Sequence, residues 1–416
     1  MIAKVRGNSK IEGEITVSGA KNSALPILAS LVLTSEEVLI NRVPEISDVN
    51  EILSMIRVAG IQVTFSDNEI MVKSSSNLKG ELGNFDSNIR ASILLLGPLA
   101  ARTGHAELPY PGGCAIGERP IDIHIEGLNK LGFLISEKGD RIEATLGKIP
   151  KEVKIKLRFP SVGATEHLMM TAAIMNGTHT ELSNCAKEPE IVDLQNFLVS
   201  MGAKIKGAGI DKIEIEGVKA FHGTTHTIIG DRIEAGTYII AALASKGLLK
   251  VNGASSETFN FIHELKKIGA QIITNEDHVL VKPSTLKPFK ISTGPYPEFP
   301  TDLQPQLTFL ACYTNGTSEV TEKVFENRFW HVDELRKMGA SIEKIGDRTL
   351  RIKQSQLHGA TLIGKNLRET ATVLFAAAIA DGPSRIEKFE IILRGYEKIW
   401  DKLKKIGVEV DILDQL

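Results

Sequence analysis

Six stretches of this chain follow one pattern, in which a helix-like segment is followed by a glycine, a strand, a turn and a second strand. Successive glycines of the pattern lie 72, 70, 67, 70 and 68 residues apart. Self-similarity at a fixed period indicates repeated structural units, and this period exceeds those of the common solenoids. We therefore predict compact domains of three units each. The six stretches are 52–73, 128–144, 197–216, 263–282, 334–353 and 402–413, around Gly60, Gly132, Gly202, Gly269, Gly339 and Gly407.

Each repeat is preceded by a second helix-like segment that is apolar nearly all round, which is typical of a buried helix. The amphipathic helix of the repeat ends at its glycine, where a C-cap requires a positive φ, and its charges predict a solvent-exposed face. One unit thus reads as strand, buried helix, strand, outer helix, strand, strand, which predicts an α/β fold class. The predicted buried helices are 22–33, 91–101, 165–175, 236–244, 304–313 and 369–380.

Length and composition narrow the class of protein. A chain of 416 residues exceeds one ordinary core, and the polar, Gly- and His-rich stretch 221–230 suits a linker between two domains. The net charge of −2 without a basic block argues against a nucleic-acid partner. With no bilayer-spanning apolar run, no secretion signal and three cysteines, we expect a cytoplasmic protein that does not enter the membrane. We expect a monomer or a weak homo-oligomer.

The stretch 110–120 carries the strongest sign of chemistry. Its cysteine, Cys114, lies among three glycines and between two prolines, which indicates a loop and an accessible thiol. Arg119 and Lys130 follow nearby, and a cationic neighbour lowers the pKa of a thiol and makes it more reactive. The alternative is a surface loop whose cysteine happens to be exposed. Of the other cysteines, Cys312 lies in an apolar helix and Cys185 begins a polar loop.

Basic residues stand at or just before the starts of the predicted buried helices. Helix N-termini attract anions through their free N–H groups and the helix dipole. If the three buried helices of a domain run parallel, these residues predict an anion-binding cleft between the domains; the alternative is helix capping with solvated charge. The basic residues are Lys21, Arg90, Arg232 and Arg368, with Arg328 and Arg394 as further candidates.

Asp302 follows Pro300 and stands just before a predicted buried helix. Burial raises the pKa of a carboxyl and suits it to general-base chemistry, whereas a capping aspartate is the structural alternative. The stretch 359–366 misses the phosphate-loop motif because Asn366 stands where Ser or Thr is required. The histidines and cysteines are too dispersed for a structural metal site, so we expect no metal and no organic cofactor.

Long segments spread from end to end resemble the UDP-N-acetylglucosamine enolpyruvyl transferase family. The related synthase of aromatic amino-acid biosynthesis shares the six-unit fold, but its segments for shikimate phosphate are not found here. The resembling segments are 18–28 (SGAKNSALPIL), 111–124 (PGGCAIGERPIDIH), 160–165 (PSVGAT), 188–193 (EPEIVD), 231–237 (DRIEAGT), 299–304 (FPTDLQ), 325–329 (FENRF) and 394–397 (RGYE).

This resemblance implies two inverse α/β barrels, each with pseudo-threefold symmetry. It places residues 21–229 in one domain, and residues 1–20 with 230–416 in a second, discontinuous domain. The implied reaction is an addition–elimination that transfers the enolpyruvyl group of phosphoenolpyruvate to the 3′-hydroxyl of UDP-N-acetylglucosamine and releases phosphate. That reaction is the first committed step of peptidoglycan synthesis.

The resemblance also assigns roles to residues. Cys114 matches the loop cysteine that acts as general acid or forms a covalent adduct and is alkylated by fosfomycin, and Asp302 matches the proposed base toward the 3′-hydroxyl. The residues matching phosphoenolpyruvate ligands are Lys21, Asn22, Arg90, Arg119 and Arg394. Those matching nucleotide-sugar ligands are Arg119, Pro120, Ile121, Asp122, Ile123, Ser161, Val162, Gly163, Asp302 and Val324.

Two positions depart from the family pattern, since Asn366 and Leu393 replace aspartates that the family usually carries. The loss of two carboxylates changes the charge balance around Arg368 and Arg394. Two alternatives therefore stand beside the favoured activity. One is an enolpyruvyl transferase with a different nucleotide or nucleotide-sugar acceptor, and the other is a non-catalytic regulator that binds a UDP-sugar.

Overall fold

A computed structural model of the chain describes residues 1–73, 77–83, 89–112, 121–254 and 259–413. The described chain divides into two compact units. The first unit contains residues 1–18 together with the chain from residue 230 onward, and the second contains the chain from residue 19 to residue 229. The first boundary thus lies two residues before the predicted one, and each unit has its own hydrophobic core.

Buried and outer helices alternate along the chain. All thirteen residues of Arg232–Ala244 are buried, whereas Asn260–Lys267 buries only Phe261, Ile262 and Leu265. The helices α1 to α12 are Lys21–Ser30, Ser47–Val58, Leu96–Thr103, Asp122–Lys130, Val162–Ile174, Pro189–Ser200, Arg232–Ala244, Asn260–Lys267, Gln304–Ala311, Trp330–Lys337, Leu367–Ile379 and Ile399–Lys405. Short 3₁₀ segments are Leu31–Leu33, Arg90–Leu95, Thr301–Leu303 and Phe389–Arg394.

The even-numbered helices are the outer helices of the six repeats. Each of them ends two residues before the glycine that the sequence predicts as its end. Each of the six glycines has a positive φ, between 77° and 103°, as the sequence predicts for a C′ position. The prediction of the six helix ends is therefore confirmed. At Gly60 the neighbouring backbone also leaves no space for a side chain, because a Cβ there would lie 2.4 Å from the carbonyl oxygen of Asn77.

The strands β1 to β12 are Ile2–Val5, Gly13–Thr16, Val38–Asn41, Gln62–Ser66, Glu69–Lys73, His105–Pro109, Phe133–Lys138, Arg141–Leu146, Glu152–Lys156, His179–Ser183, Lys204–Lys206 and Lys212–Glu216. The strands β13 to β23 are Thr224–Thr227, Leu249–Asn252, Gln271–Thr274, His278–Lys282, Lys290–Ser292, Thr317–Thr321, Ser341–Ile345, Thr349–Lys353, Thr361–Ile363, Ser384–Glu387 and Val410–Leu413.

The strands form three small sheets in each unit. The sheets of the first unit have the orders β21-β22-β1-β23, β15-β16-β14-β2 and β17-β18-β20-β19, and those of the second have the orders β13-β3-β5-β4, β6-β8-β7 and β11-β12-β10-β9. Five of these sheets contain one parallel pair next to antiparallel pairs. The α/β fold class is confirmed, and the described strands form separate open sheets with no closed barrel among them.

Two strands pair away from their own repeat. Strand β2, which precedes α1, runs parallel to β14, while β13, which precedes α7, runs parallel to β3. Strand β1 completes the last sheet by pairing antiparallel with both β22 and β23. These pairings return residues 1–18 to the unit formed by the second half of the chain, and they bring Ser18 beside the start of α7, where its N–H donates to Glu234 at 2.8 Å.

Candidate active site

Asp302 lies in the 3₁₀ turn that leads into α9, and its side chain is 24% exposed. One carboxylate oxygen, Oδ1, lies 2.9 Å from Nη2 of Arg328, and the other, Oδ2, lies 3.3 Å from Nε of Arg368. The N-cap positions of the turn and of α9 belong to Pro300 and Leu303. The capping alternative therefore does not describe Asp302, whose carboxylate is bound by two guanidinium groups.

We expected burial to activate Asp302, but its side chain is partly exposed in the structure. Arg328 and Arg368 are both buried, and two positive charges next to a carboxylate favour its ionised form. An ionised carboxylate is the form that accepts a proton. The arrangement thus favours the ionised carboxylate through fixed charges and leaves part of it open to solvent.

A second layer of contacts holds Arg328. Its Nη1 donates to Oγ1 of Thr301 at 2.8 Å, and the Thr301 hydroxyl donates to Oε2 of Glu322 at 2.9 Å. Glu322 is fully buried, and its Oε1 accepts the N–H groups of Val324 and Phe325 at 2.7 and 3.0 Å. The N–H of Val324, a residue that the family resemblance places at the nucleotide sugar, is thus bonded within the protein.

Arg368 is the second residue of α11 and is held on its other side by Tyr396. The guanidinium carbon lies 5.6 Å from the centre of the buried Tyr396 ring. Burial by itself would lower the pKa of Arg368, but Tyr396, Asp302 and Asp231 together raise it above its ordinary value. The Tyr396 hydroxyl also lies 2.9 Å from Oγ1 of Thr237 in α7. In the first unit, Asp231 at the start of α7 and Asp302 ahead of α9 therefore both lie near Arg368 at the start of α11.

The two departures from the family pattern have local structural roles. Asn366 is buried and caps α11, because its Oδ1 accepts the N–H of Glu369 at 3.1 Å. An asparagine keeps the acceptor that a capping aspartate would supply but removes its charge. Leu393 is partly buried against the core of the first unit. Its neighbour Arg394 ends a 3₁₀ turn and is half-buried.

The helix starts of the second unit hold a separate group of predicted residues. Lys21 is the first residue of α1, and its Nζ lies 2.6 Å from Oδ2 of Asp48. Both side chains are buried, so the ammonium group is paired and fixed in position. Asn22 follows in the same first turn and is partly exposed. Ser23 donates to Asp193 and ties this turn to α6.

Arg90 begins the 3₁₀ turn before α3, and burial lowers the pKa of its guanidinium, an influence that Tyr110 partly offsets. Ile121 is buried just ahead of α4, and Asp122 begins that helix with its carboxylate paired to Arg158. Ile123 is partly exposed, and its N–H donates to Asp122 at 2.9 Å.

Ser161 caps α5, since its Oγ accepts the N–H of Ala164 at 3.3 Å. Val162 and Gly163 form the first turn and are partly exposed. The N–H groups of this turn and the helix dipole make the start of α5 suited to an anion such as a diphosphate.

Comparison with known proteins decides the family. A family model described as EPSP synthase (3-phosphoshikimate 1-carboxyvinyltransferase) matches residues 5–403. The chain belongs to this family of enolpyruvyl transferases. The predicted family resemblance is therefore confirmed.

Curated relatives of this enolpyruvyl transferase match it from end to end. The UDP-N-acetylglucosamine 1-carboxyvinyltransferase of Thermotoga petrophila is 44% identical over 416 residues, covering 99% of this chain and 98% of the relative. The enzyme of the same name from Fervidobacterium nodosum is 46% identical over 406 residues, covering 97% of this chain and 96% of the relative.

Solved structures of family members share the fold. The enolpyruvyl transferase NikO from Streptomyces tendae has a TM-score of 0.88 at 23% identity, over 99% of this chain and 98% of that one. EPSP synthase from Acinetobacter baumannii has a TM-score of 0.76 at 18% identity, over 99% of this chain and all of that one. At these identities the likeness shows the fold alone.

Several sequence predictions for this enolpyruvyl transferase fall outside the described residues, namely those on Cys114, Arg119 and Pro120. The other two cysteines are described. Cys185 and Cys312 are fully buried, and burial raises the pKa of each thiol to about 12. The prediction that Cys312 is a core residue is confirmed, and Cys185, left open from sequence, is also buried.

Sequence reasoning missed several residues that hold the predicted site residues, or the helices that carry them, in place within each unit. Glu322 and Asp48 carry no motif, and the only sign of Glu322 is its position directly after β18. Lys402 lies on an outer helix whose charges we expected to be solvent-exposed, and for this residue the expectation is wrong. It is buried, and its Nζ lies 2.5 Å from Oε1 of Glu234 and donates to Oγ of Ser18 at 2.7 Å.

Within the described ranges, no group of three or more His, Cys, Asp or Glu side chains has an arrangement that would hold a metal ion. In the same part of the chain, the helices lack the length and apolar character needed to cross a membrane.

Proposed function

We propose that this protein transfers the enolpyruvyl group of phosphoenolpyruvate to the 3′-hydroxyl of UDP-N-acetylglucosamine and releases phosphate, the first committed step of peptidoglycan synthesis. End-to-end identity of 44% to relatives named for this activity supports the choice of acceptor. The observation that carries the chemistry is the Asp302 carboxylate, partly exposed and bound by Arg328 and Arg368. We place the reaction in the cytoplasm, in a monomer or weak homo-oligomer.

Asp302 is proposed as the base toward the sugar hydroxyl. Its two salt bridges fix the direction of the carboxylate, and a fixed base lowers the barrier through orientation. As the hydroxyl oxygen bonds to C2 of phosphoenolpyruvate, its proton passes to Asp302. The proton that C3 gains is assigned to Cys114, whose position lies outside the described residues.

Elimination reverses one half of that step. C3 returns a proton to the thiolate that the addition leaves at Cys114, the C2–C3 double bond forms again, and the bond between C2 and the phosphate oxygen breaks. The proton that Asp302 took up passes to the departing phosphate. Inorganic phosphate leaves with the electron pair of that bond. The products are the enolpyruvyl ether of the nucleotide sugar and phosphate, so atoms and electrons balance without a redox partner.

Phosphoenolpyruvate carries a carboxylate and a phosphate, and cationic side chains suit both groups. We assign Lys21, Asn22, Arg90, Arg119 and Arg394 to this substrate. Lys21 supports the assignment because Asp48 holds its ammonium group at the start of α1. Arg368 lies beside the proposed base, and its guanidinium group is bonded to the Asp302 carboxylate.

The nucleotide sugar is assigned to two segments and two single residues. The segments are Arg119–Ile123, whose last two residues begin α4, and Ser161–Gly163 at the start of α5, and the single residues are Asp302 and Val324. The N–H groups of the first turn of α5 support the assignment of the diphosphate.

The test is phosphate release from phosphoenolpyruvate by the purified protein, with and without UDP-N-acetylglucosamine. We expect release only when the acceptor is present. Asp302→Asn keeps the size of the side chain and removes its basicity, so kcat should fall by at least about 100-fold while nucleotide-sugar binding remains. Asp347→Asn makes the same chemical change at an exposed turn and serves as the control.

Each of the other possible results would show that a different part of the proposal is wrong. Binding of UDP-N-acetylglucosamine without phosphate release would support the non-catalytic regulator. Release with another nucleotide acceptor but not with this one would support the alternative acceptor. If Asp302→Asn weakens binding alone and leaves kcat unchanged, the assignment of Asp302 as the base is wrong.

A further inference from the structure

One buried carboxylate lies behind the proposed base and has no part in the reaction proposed above. Glu322 follows β18 directly and is fully buried. Its Oε2 accepts the hydroxyl of Thr301 at 2.9 Å, and its Oε1 accepts the N–H groups of Val324 and Phe325 at 2.7 and 3.0 Å. Because Thr301 precedes Asp302 in the 3₁₀ turn ahead of α9, Glu322 joins the turn that carries the base to the segment after β18.

The chemistry of this group assigns its donors and acceptors. A guanidinium group only donates hydrogen bonds, so Oγ1 of Thr301 accepts from Nη1 of Arg328, which is 2.8 Å away. The single hydroxyl proton of Thr301 is then directed at Oε2 of Glu322. The backbone N–H groups at Oε1 also only donate. Glu322 therefore accepts at both of its oxygens, which a carboxylate does and an amide cannot do.

Glu322 acts on Arg328 along two routes. The Thr301 hydroxyl bonds to Nη1 of the guanidinium group, and Phe325, whose N–H is held by Glu322, has its ring centre 5.1 Å from the guanidinium carbon. Arg328 is buried, and its Nη2 lies 2.9 Å from Oδ1 of Asp302. The hydroxyl contact and the ring contact together restrict the planar guanidinium group, and so the direction from which it binds Asp302.

The Thr301 hydroxyl also keeps two opposite charges apart. Nη1 of Arg328 and Oε2 of Glu322 both bond to the same oxygen, Oγ1 of Thr301. Without the hydroxyl, the buried guanidinium group would be attracted directly to the buried carboxylate of Glu322. Its contact with Asp302 would weaken as a result, so the hydroxyl preserves the salt bridge between Arg328 and Asp302.

We propose that Glu322 is a positioning residue, which holds Arg328 in the orientation that directs the Asp302 carboxylate. Glu322 acts on Arg328 through the Thr301 hydroxyl and through Phe325. The proposal rests on the proposed function for the role of Asp302 as the base.

Val324 gives this arrangement a second consequence. Its N–H is bonded to Oε1 of Glu322, and the residue is assigned above to the nucleotide sugar. One carboxylate is thus bonded both to the turn that carries the base and to a segment proposed to hold the acceptor. A base must lie within hydrogen-bond reach of the proton that it removes, and a misplacement of about 1 Å costs about 100-fold in rate. Loss of these bonds should therefore lower kcat.

The first test needs no substrate. Nuclear magnetic resonance of protein labelled with ¹³C at its aspartate carboxyls follows the titration of Asp302, whose signal is identified by its loss in Asp302→Asn. Because Arg328 favours the ionised form, the pKa of Asp302 should be higher in Thr301→Val than in the parent protein. Thr301→Ser keeps the hydroxyl and should restore the parent value. An unchanged pKa of Asp302 in Thr301→Val would overturn the proposal whatever the reaction proves to be. The control is Thr361→Val, the same change at an exposed position of β21, which should have no effect.

The second test is kinetic. Thr301→Val should lower kcat by about 10- to 100-fold and change KM for phosphoenolpyruvate by less than about 3-fold. The acid limb of its kcat profile should move to higher pH, because the base then needs a higher pH to be ionised. Thr301→Ser should restore most of kcat. A loss of kcat in Thr301→Val with the acid limb in its parent position would refute the positioning role, since a merely structural defect lowers activity without moving that limb.

Glu322→Gln tests the carboxylate itself. Its amide accepts at one end only, so either the backbone N–H groups or the Thr301 hydroxyl would lose their acceptor. We expect the same rise in the pKa of Asp302 and a fall in kcat of about 10- to 100-fold. If this variant does not fold, Thr301→Val and Thr301→Ser still decide the result.

The two proposals fail in different ways. A set of variants that shows the expected changes in the pKa of Asp302, with a parent protein that releases no phosphate, would contradict the proposed function alone. Phosphate release by the parent protein, with an unmoved pKa of Asp302 in Thr301→Val, would contradict the role of Glu322 alone.

Discussion

Replacing Lys402 by methionine should destabilise the first unit far more than its position on an outer helix would indicate. Lys402 has 11% of its side chain exposed and Glu234 has 1%, and their charged atoms lie 2.5 Å apart. Methionine keeps the length of the side chain and removes the charge. The carboxylate of Glu234 would then be buried without its cation, while the N–H of Ser18 would still donate to it.

The magnitude follows from the separation of the two groups. Two unit charges at this distance attract by about 6–7 kcal/mol at an effective dielectric constant of about 20, and the desolvation of both groups offsets part of that. Breaking a buried pair by removing one partner typically costs about 3–5 kcal/mol. In a unit of roughly 150–250 residues each kcal/mol shifts the melting temperature by about 2–4 °C, so we expect a fall of about 6–20 °C.

The loss should depend on pH in a known direction. Burial raises the pKa of Glu234 above 4.5, while Lys402 lowers it, so the variant should raise it further. A carboxyl with a raised native pKa binds more protons when folded, and stability therefore falls as pH rises from the unfolded value through the native one. The deficit of Lys402→Met should be largest near neutral pH and shrink toward about pH 5.

Calorimetry of Lys402→Met at several pH values, beside Lys404→Met, measures this effect. Lys404 lies on the same helix, α12, and is exposed, so its replacement should change stability by less than about 0.5 kcal/mol. Adding Glu234→Gln to Lys402→Met should recover part of the loss, since no buried charge remains. Equal melting temperatures for Lys402→Met and Lys404→Met would refute the reasoning, as would a deficit that does not change with pH.

Two further predictions concern single positions. Gly60→Ala should lower the free energy of unfolding by more than about 1–3 kcal/mol in a urea titration, because a side chain at φ 100° is strained and its Cβ would meet a carbonyl oxygen at 2.4 Å. Gly139→Ala is the control, since Gly139 has a φ of 63° and no atom within 4 Å of the added Cβ, and it should lower the free energy of unfolding by less. The thiols of Cys185 and Cys312 are buried and have pKa values of about 12, so a thiol reagent at neutral pH should not react with them in the folded protein. The reagent should therefore label the Cys185→Ser/Cys312→Ser variant as fully as the parent, and it should not label folded Cys114→Ser. Mass spectrometry distinguishes these results, and labelling of the native Cys114→Ser protein would contradict the second prediction.

The sequence predicted most of what depends on local pattern. Apolar residues without a polar face mark the six buried helices, and a glycine that must adopt positive φ marks the end of each outer helix. These features depend on residues within one or two helical turns, so a single sequence carries them. The family resemblance added proposed roles for Asp302, Lys21 and Ser161, because it rests on residue identity at matched positions.

The tertiary structure decided which distant residues meet. No local pattern shows that β2 pairs with β14. Nor does one show that Asp302 is bound by Arg328 and by Arg368, the latter lying 66 residues after Asp302. The burial of Lys402 opposite Glu234 likewise arises from elements far apart in sequence. The sequence alone determined the repeated unit and the residue types at the helix starts. The charge partners depend on long-range packing, because the residues of each pair lie on elements far apart in the chain.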